Sequence, residues 1–108
     1  MKNRSYRLQG SIDFPTLLPM LNSAENATRK GVTMLRLEFD CLGVDDFTSY
    51  SLTCLARTRR LLLASGGDLV LTNCSERIAS RMVHPIFEAM CDEASMLGAR
   101  SARSPLAA

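Results

Sequence analysis

The side chains that could carry chemistry are concentrated in one short stretch of the chain. Asp45 and Asp46 are adjacent carboxylates, and hydroxyl groups follow them at Thr48, Ser49 and Ser51. Paired carboxylates can exchange protons or hold a metal ion, and a hydroxyl can act as a nucleophile once a neighbouring base activates it. Because no histidine and no third ligand is placed nearby, we expect the aspartates to lie in a solvated loop.

The rest of the sequence lacks the motifs of common enzymes. There is no Gly-x-Ser-x-Gly, no P-loop and no Gly-x-Gly-x-x-Gly. The single histidine, His84, stands next to Pro85, and we expect it to shape or cap a turn. These observations predict a protein that is not an enzyme and that uses neither a cofactor nor a metal ion.

The cysteines have no spacing that is typical of a zinc site. Cys41, Cys54, Cys74 and Cys91 are separated by more than ten residues in each case, and no Cys-x-x-Cys occurs. A chain of this length can build a core without disulfides. We therefore predict four reduced thiols that are buried as small apolar side chains, as in a cytoplasmic protein.

Composition narrows the class of protein further. With 108 residues, 46% hydrophobic and 22% charged, the chain fits a single folded domain. A net charge of +2 and the absence of Trp argue against a nucleic-acid-binding surface. The longest apolar run is 61–64, and the first nine residues are polar, so we expect no membrane insertion, no signal peptide and a cytoplasmic location.

Hydrophobic periodicity in the first half predicts a strand, a helix and a second strand. Residues 6–12 alternate as in a half-buried strand. A helix is predicted from an N-cap at Thr16, with Pro19 in its first turn and Gly31 just beyond its end. Residues 34–40 alternate again as a second strand, and we expect 40–47 to form a loop.

The second half repeats this alternation. A long helix is predicted over 49–65, ended by Gly66 and Gly67, and a buried strand over 68–74. Ser75 is the predicted N-cap of a third helix that Pro85 interrupts, and 86–97 is predicted to be helical again. The order predicts an α/β fold with one small sheet, mixed to mostly parallel, and helices mainly on one face. We expect one domain over 1–97 and a disordered tail over 98–108.

Three segments, taken in order, resemble the STAS domain, a family named from sulfate transporters and anti-sigma-factor antagonists. The first is the strand end and helix start at 10–14, and the second is the central strand at 34–40. The third is the loop 48–52, followed by the long helix, Gly66-Gly67 and the strand residues 69–71. The resemblance covers about Tyr6 to Phe87, and it implies that this is a STAS-like domain.

In the family, the loop reads Asp, two hydroxyl residues, Gly and Leu, and a partner kinase phosphorylates the first hydroxyl residue. By position, Thr48 replaces the Asp, Ser49 is the phosphoacceptor, Tyr50 is the second hydroxyl residue, Ser51 replaces the Gly and Leu52 is the Leu. The sequence thus lacks the acidic residue and the small residues of the family loop. Thr48 and Ser51 are weaker candidates for the acceptor.

The resemblance implies a regulatory protein–protein interaction module, like an anti-sigma-factor antagonist that binds an anti-sigma kinase and is switched by phosphorylation near Ser49. The alternative is a constitutive STAS subunit docked on the ATPase of a lipid-transport ABC complex, which needs no phosphoacceptor. Ser49 could act only as the cap of the helix, or as the cap and also as the switch, and Thr48 is the competing candidate for the cap. The expected partner-binding residues are Asp45, Asp46, Thr48, Tyr50, Arg57 and Arg60.

Overall fold

Strands and helices alternate along the protein. The computed structural model describes residues 2–82, 85–87 and 90–91. The elements are β1 (Lys2–Ile12), α1 (Phe14–Arg29), β2 (Leu35–Phe47), α2 (Ser49–Ala64), β3 (Asp68–Thr72), α3 (Glu76–Ser80) and a 3-10 turn at Pro85–Phe87.

The strands form one parallel sheet in the order β1-β2-β3. Helices α1 and α2 connect successive neighbouring strands and contact each other, as expected when both crossovers are right-handed and place the helices on the same face. The predicted α/β architecture is confirmed, and the sheet is entirely parallel rather than mixed. Beyond β3, the backbone N–H of Leu71 donates to the carbonyl of Met90 at 2.8 Å, and Cys91 forms a parallel bridge to Leu71.

The core lies between the sheet and the two long helices. On β2 every second side chain from Leu35 to Cys41 is buried on this face, as the period-two pattern predicted. The ring of Tyr6 stacks on Phe39 with centroids 5.5 Å apart. The predicted packing of α2 on β2 and β3 is confirmed. Fully or almost fully buried residues of this core include Leu17, Leu21, Leu35, Leu37, Phe39, Leu52, Leu55, Leu62, Leu69 and Leu71.

The other face of the sheet carries polar side chains that pair with one another. Arg36 and Glu38 approach within 3.7 Å on β2, and Arg7 of β1 approaches Asp40 within 3.8 Å. The amide of Asn73 also donates to Asp40, at 3.1 Å. These residues pair with one another, whereas Val70 of β3, the register partner of Glu38, is buried.

Strand β2 is longer than the sequence predicted. The stretch 40–47 is part of β2 and pairs with residues 7–12 of β1, with register shifts between Arg7 and Gln9 and between Gly10 and Ser11. Each shift adds a residue to β2, as in a β-bulge, so Gly43 and the two aspartates fit within the strand. The predicted loop at this position is wrong, and β1 starts four residues earlier than predicted, at Lys2.

Helix α1 starts before the predicted N-cap. Asp13 is the N-cap, and its carboxylate accepts from the backbone N–H of Thr16 at 3.2 Å and from the Thr16 hydroxyl at 2.8 Å. Pro15 therefore occupies the first turn, and Pro19 lies one turn later, inside the helix and exposed. The predicted end is confirmed, because Gly31 adopts a φ of +96° just past the C-cap Lys30.

Helix α2 ends at the predicted pair of glycines. Gly66, with a φ of +84°, donates to the carbonyl of Leu63 at 3.1 Å, and Gly67 donates to that of Leu62 at 2.9 Å. These two bonds form a Schellman motif. Gly67 also passes close to β2, because a Cβ atom at this position would lie 2.0 Å from the carbonyl oxygen of Leu35.

The third helix is short and has the predicted N-cap. The Ser75 hydroxyl accepts from the N–H of Ile78 at 3.2 Å. Strand β3 ends at Thr72, two residues before the prediction, since Asn73 turns the chain with a φ of +55°. His84, most of the helix predicted over 86–97 and the tail over 98–108 lie outside the described residues. Among the described helices, none is long and apolar enough to cross a membrane.

Candidate functional site

The start of α2 is held at the carboxyl edge of the sheet. The backbone N–H of Thr48 donates to the carbonyl of Ile12, the last residue of β1, at 2.9 Å. Strand β2 ends at Phe47, directly before this residue, and α3 follows β3 at the same edge. In open parallel sheets this is the edge at which ligands and partners are usually bound.

Thr48, and not Ser49, is the N-cap of α2. The Thr48 hydroxyl accepts from the N–H of Ser51 at 3.2 Å. Both neighbouring residues are able to cap, and the backbone places Thr48 in the extended conformation that a cap requires. The interpretation of Ser49 as the helix cap is therefore wrong, and its hydroxyl is available for another role.

Ser51 ties the helix to β1. It is fully buried, and its hydroxyl lies 2.7 Å from the carbonyl of Thr48 and 3.3 Å from that of Ile12. A kinase could reach this oxygen only after the first turn of α2 had opened. The Ser51 hydroxyl therefore holds the first turn of α2 to the end of β1.

Ser49 is exposed and is held by an arginine from α3's C-terminal end. Arg81 donates through Nη2 to the Ser49 hydroxyl at 2.9 Å and through Nη1 to Asp46 at 2.7 Å, and it also donates to the Phe47 carbonyl. Arg77, one turn earlier, lies 3.4 Å from the other oxygen of Asp46. We call Asp46, Ser49, Arg77 and Arg81 the Ser49 cluster.

Electrostatics keep Asp46 ionised. The hydrogen bond from Arg81 is the main cause that lowers its pKa below the ordinary value of 3.8; partial burial opposes this, and the Phe47 N–H and the charge of Arg77 support it. Asp46 is half-buried and paired, whereas Asp45 is exposed. The two aspartates therefore do not act as one carboxylate pair, and the Ser49 cluster carries an excess positive charge.

Next to this cluster, the outer side of α2 presents four exposed side chains, Tyr50, Thr53, Arg57 and Arg60. We call them the α2 surface. The ring of Tyr50 is 58% exposed and contacts Phe14 of α1 edge-on at 5.1 Å. Within the described residues neither Arg57 nor Arg60 forms an ion pair, whereas Arg59 points inward and bonds Asp68 at 2.8 Å.

A groove of about 380 Å³ separates α1 from α2 beside this surface. Tyr50 and Arg57 line it from α2, and Phe14 and Leu18 line it from α1. The groove extends the area that a partner bound to α2 would contact.

Among the predicted site residues, Asp45 and Asp46 lie at the end of β2 and 48–51 at the start of α2, whereas Arg57 and Arg60 lie about two and about three turns further along this helix. Two residues of the Ser49 cluster were not predicted. Arg77 and Arg81 are remote in sequence from Ser49, and only the fold brings them to it. The sequence contains one indication of this pair. Arg77 and Arg81 are four residues apart on the helix that follows β3, and this spacing puts both side chains on one face of the helix. Among the described residues, no group of three or more potential metal ligands occurs.

No protein-family model and no curated protein matches the sequence. The fold is similar to part of a solved structure, that of Mglu, with a TM-score of 0.51 and 24% sequence identity. The similarity covers 68% of this chain and 18% of Mglu, so the chain corresponds to less than a fifth of that protein. At this identity the likeness concerns the fold alone.

Proposed function

We propose that this protein is a non-catalytic regulatory module of the STAS type, acting in the cytoplasm, whose binding to a protein partner is switched by phosphorylation of Ser49. One observation carries the proposal. The Ser49 hydroxyl is exposed at the start of α2, does not cap the helix, and is contacted by the Arg81 guanidinium at 2.9 Å.

The surroundings of Ser49 suit a phosphate. The first turn of a helix presents backbone N–H groups and the positive end of the helix dipole. Arg81 already reaches the oxygen that would carry the phosphate, and Arg77 lies on the same face of α3 one turn away. Arginine side chains bind phosphate through charge-assisted hydrogen bonds, so the fold can accept the modification.

Phosphorylation would reverse the charge of the surface offered to a partner. A phosphate adds about −1.5 to −2 charges at neutral pH. It would also compete with Asp46 for Arg81. The neighbouring α2 surface offers an exposed tyrosine and two arginines that form no ion pair within the described residues, which suits a partner with acidic and apolar groups. Such a partner is attracted by the unmodified surface and repelled by the phosphorylated one.

The test compares the wild type with Ser49→Asp, Ser49→Ala and Thr33→Asp. Thr33 is exposed and precedes β2, at the opposite edge of the sheet, so Thr33→Asp adds the same charge far from the site. The partner is first captured by the wild-type protein from cells that produce it, identified by mass spectrometry and purified. Its Kd for each of the four proteins is then measured by titration.

We expect Ser49→Asp to weaken binding by at least about tenfold, while Ser49→Ala and Thr33→Asp stay within about twofold of the wild type. Phosphopeptide mapping of the protein isolated from its own cells should find the phosphate on Ser49. If all four proteins bind equally and Ser49 is unmodified, there is no switch. A constitutive subunit, such as one docked on the ATPase of a lipid-transport ABC complex, then becomes the better interpretation.

A further inference from the structure

Two of the four cysteines meet at the end of β3. Cys74 follows this strand and is fully buried, and Cys91 is half-buried at the parallel bridge to Leu71. The Cys91 thiol donates to the sulfur of Cys74, and the two sulfur atoms are 2.8 Å apart. They lie 17 residues apart in sequence, a separation that gave no sign of this contact.

The other two cysteines have different surroundings. Cys41 is buried on β2, where its thiol contacts the carbonyl of Phe39 at 3.5 Å, and Cys54 is buried on α2. No metal-ligand cluster includes Cys74 and Cys91 within the described residues. Two thiols whose sulfur atoms are in contact can be oxidised to a disulfide.

We propose that Cys74 and Cys91 are a redox modification site, at which a disulfide oxidant such as glutathione disulfide converts the two thiols into a reversible intramolecular disulfide. A disulfide bond is about 2.05 Å long, so the sulfur atoms need to approach by only about 0.8 Å. This site does not rest on the proposed function, because the contact between Cys74 and Cys91 includes no residue of the Ser49 cluster.

The reaction proceeds by two exchanges. Cys91, the more exposed thiol, loses a proton, and its thiolate attacks one sulfur of glutathione disulfide, which releases the first glutathione as a thiolate. Cys74 then loses a proton, and its thiolate attacks the Cys91 sulfur, which releases the second glutathione. The two protein thiols give up two electrons and two protons in total, and the oxidant becomes two glutathione thiols.

The bond would close a loop that contains all of α3. Residues 75–90 lie between the two cysteines, and this segment carries both arginines of the Ser49 cluster. The disulfide would also fix the segment at 90–91 to β3, where backbone hydrogen bonding already places it. Closing a loop restricts the unfolded chain, so the oxidised protein should melt at a higher temperature than the reduced one.

The experiment uses the whole chain, fully reduced and then equilibrated in glutathione buffers of increasing oxidised fraction. The reaction is stopped with acid, remaining thiols are alkylated, and peptides are mapped by mass spectrometry. We expect a Cys74–Cys91 cross-link and a Tm higher by about 10 °C or more, both reversed by dithiothreitol. Cys91→Ala should abolish both effects. Cys54→Ala, which removes a buried cysteine outside the pair, should retain both.

Cys74→Ala is a second variant that should also prevent the cross-link. Because Cys74 is fully buried, the stability of the Cys74→Ala protein in reductant is measured first. The proposal is overturned if the oxidised wild type keeps both thiols, stops with glutathione attached to Cys91, or cross-links any other pair. It is equally overturned if Cys91→Ala gains the same increase in Tm under oxidising conditions.

Discussion

Asp46 is the residue around which the Ser49 cluster is organised. One of its carboxylate oxygens accepts a hydrogen bond from Arg81 at 2.7 Å, and the other forms an ion pair with Arg77 at 3.4 Å. The Nη1 group of Arg81 is fixed on β2 by its bond to Asp46. Arg81 can therefore present its Nη2 group to Ser49. Without the carboxylate, Arg81 would retain the Phe47 carbonyl and Ser49 as its partners in the described cluster.

The lowered pKa of Asp46 predicts a dependence of stability on pH. A carboxyl group whose pKa is lower in the folded state than in the unfolded state stabilises the protein above its unfolded value, here 3.8. That stability is lost as the pH falls through the folded value. We expect the wild type to exceed Asp46→Asn in free energy of unfolding near neutral pH, and this difference to shrink in acid.

Urea unfolding of both proteins from about pH 6 to about pH 2 measures this difference. Asp45→Asn is the matched control, since Asp45 is exposed and forms no ion pair within the described residues, so it should remain close to the wild type throughout. A difference between wild type and Asp46→Asn that stays constant down to about pH 2 would contradict the assignment.

At the residue scale, the sequence could place the hydroxyl residues at a helix start but could not say which one caps it. Thr48 and Ser49 are both good caps, and the choice depends on the backbone hydrogen bond that attaches Thr48 to Ile12. The contact of Ser49 with Arg81 spans 32 residues and depends on the neighbouring positions of β2 and β3. Periodicity along a sequence contains no such information.

Both ends of α2 are fixed to the sheet, and this makes it the element that orients the site. At its start, Thr48 and Ser51 contact the end of β1. At its end, the Schellman motif turns the chain so that Gly67 packs on the backbone of Leu35. The helix can therefore not slide along the sheet without breaking one of these attachments.

Two glycine substitutions separate steric contact from backbone conformation. Gly67→Ala would place a Cβ atom 2.0 Å from the Leu35 carbonyl oxygen, and the nearest atoms it would meet all belong to the Leu35 backbone. We expect it to cost about 3 kcal/mol or more of stability. Gly31→Ala meets no atom within 4 Å and suffers only from its φ of +96°, so it should cost about 1 kcal/mol.

Chemical denaturation of the two glycine variants beside the wild type provides the comparison. Equal losses in the two variants would mean that α2 shifts to accommodate the methyl group added at Gly67, and that the end of this helix is not fixed to β2. A larger loss for the Gly67 variant would support the fixed geometry.

At the element scale, long periodic segments were predictable and irregular ones were not. The alternation in β2 and the glycines after α2 led to correct elements, because burial and turn conformation leave direct patterns in sequence. The end of β2 carries Gly43 and two aspartates, which ordinarily indicate a loop. Pairing with β1 supplies the hydrogen bonds that keep this irregular stretch in the sheet.

On the scale of the whole molecule, the core of the described residues lies between one face of the sheet and the helices α1 and α2. The apolar side of α2 contributes Leu55, which is fully buried against this face. The fold class was predictable from the order of elements, since parallel strands with right-handed crossovers permit few arrangements. The polar pairs on the opposite face were not, because they depend on the register between strands.

Replacing a leucine by alanine on each of the two sides of α2 tests the packing of this helix on the sheet. Leu55→Ala should lower the free energy of unfolding by about 2–5 kcal/mol, because it leaves a cavity in the core. Leu63→Ala removes the same atoms from a side chain that is 46% exposed, and it should change stability by less than about 0.5 kcal/mol. Comparable losses in thermal or urea unfolding would show that α2 packs with a different side on the sheet.

The position of β1 at the end of the sheet has a consequence for contacts between molecules. Within the described residues β1 pairs with β2 alone, so along eleven residues its other edge offers backbone groups to which another strand could add. Lys2, Arg4 and Arg7 lie on this strand, and a second copy approaching the edge would bring like charges together. Such repulsion is screened over about 10 Å at 0.1 M salt, so the strand's resistance to self-association falls as ionic strength rises.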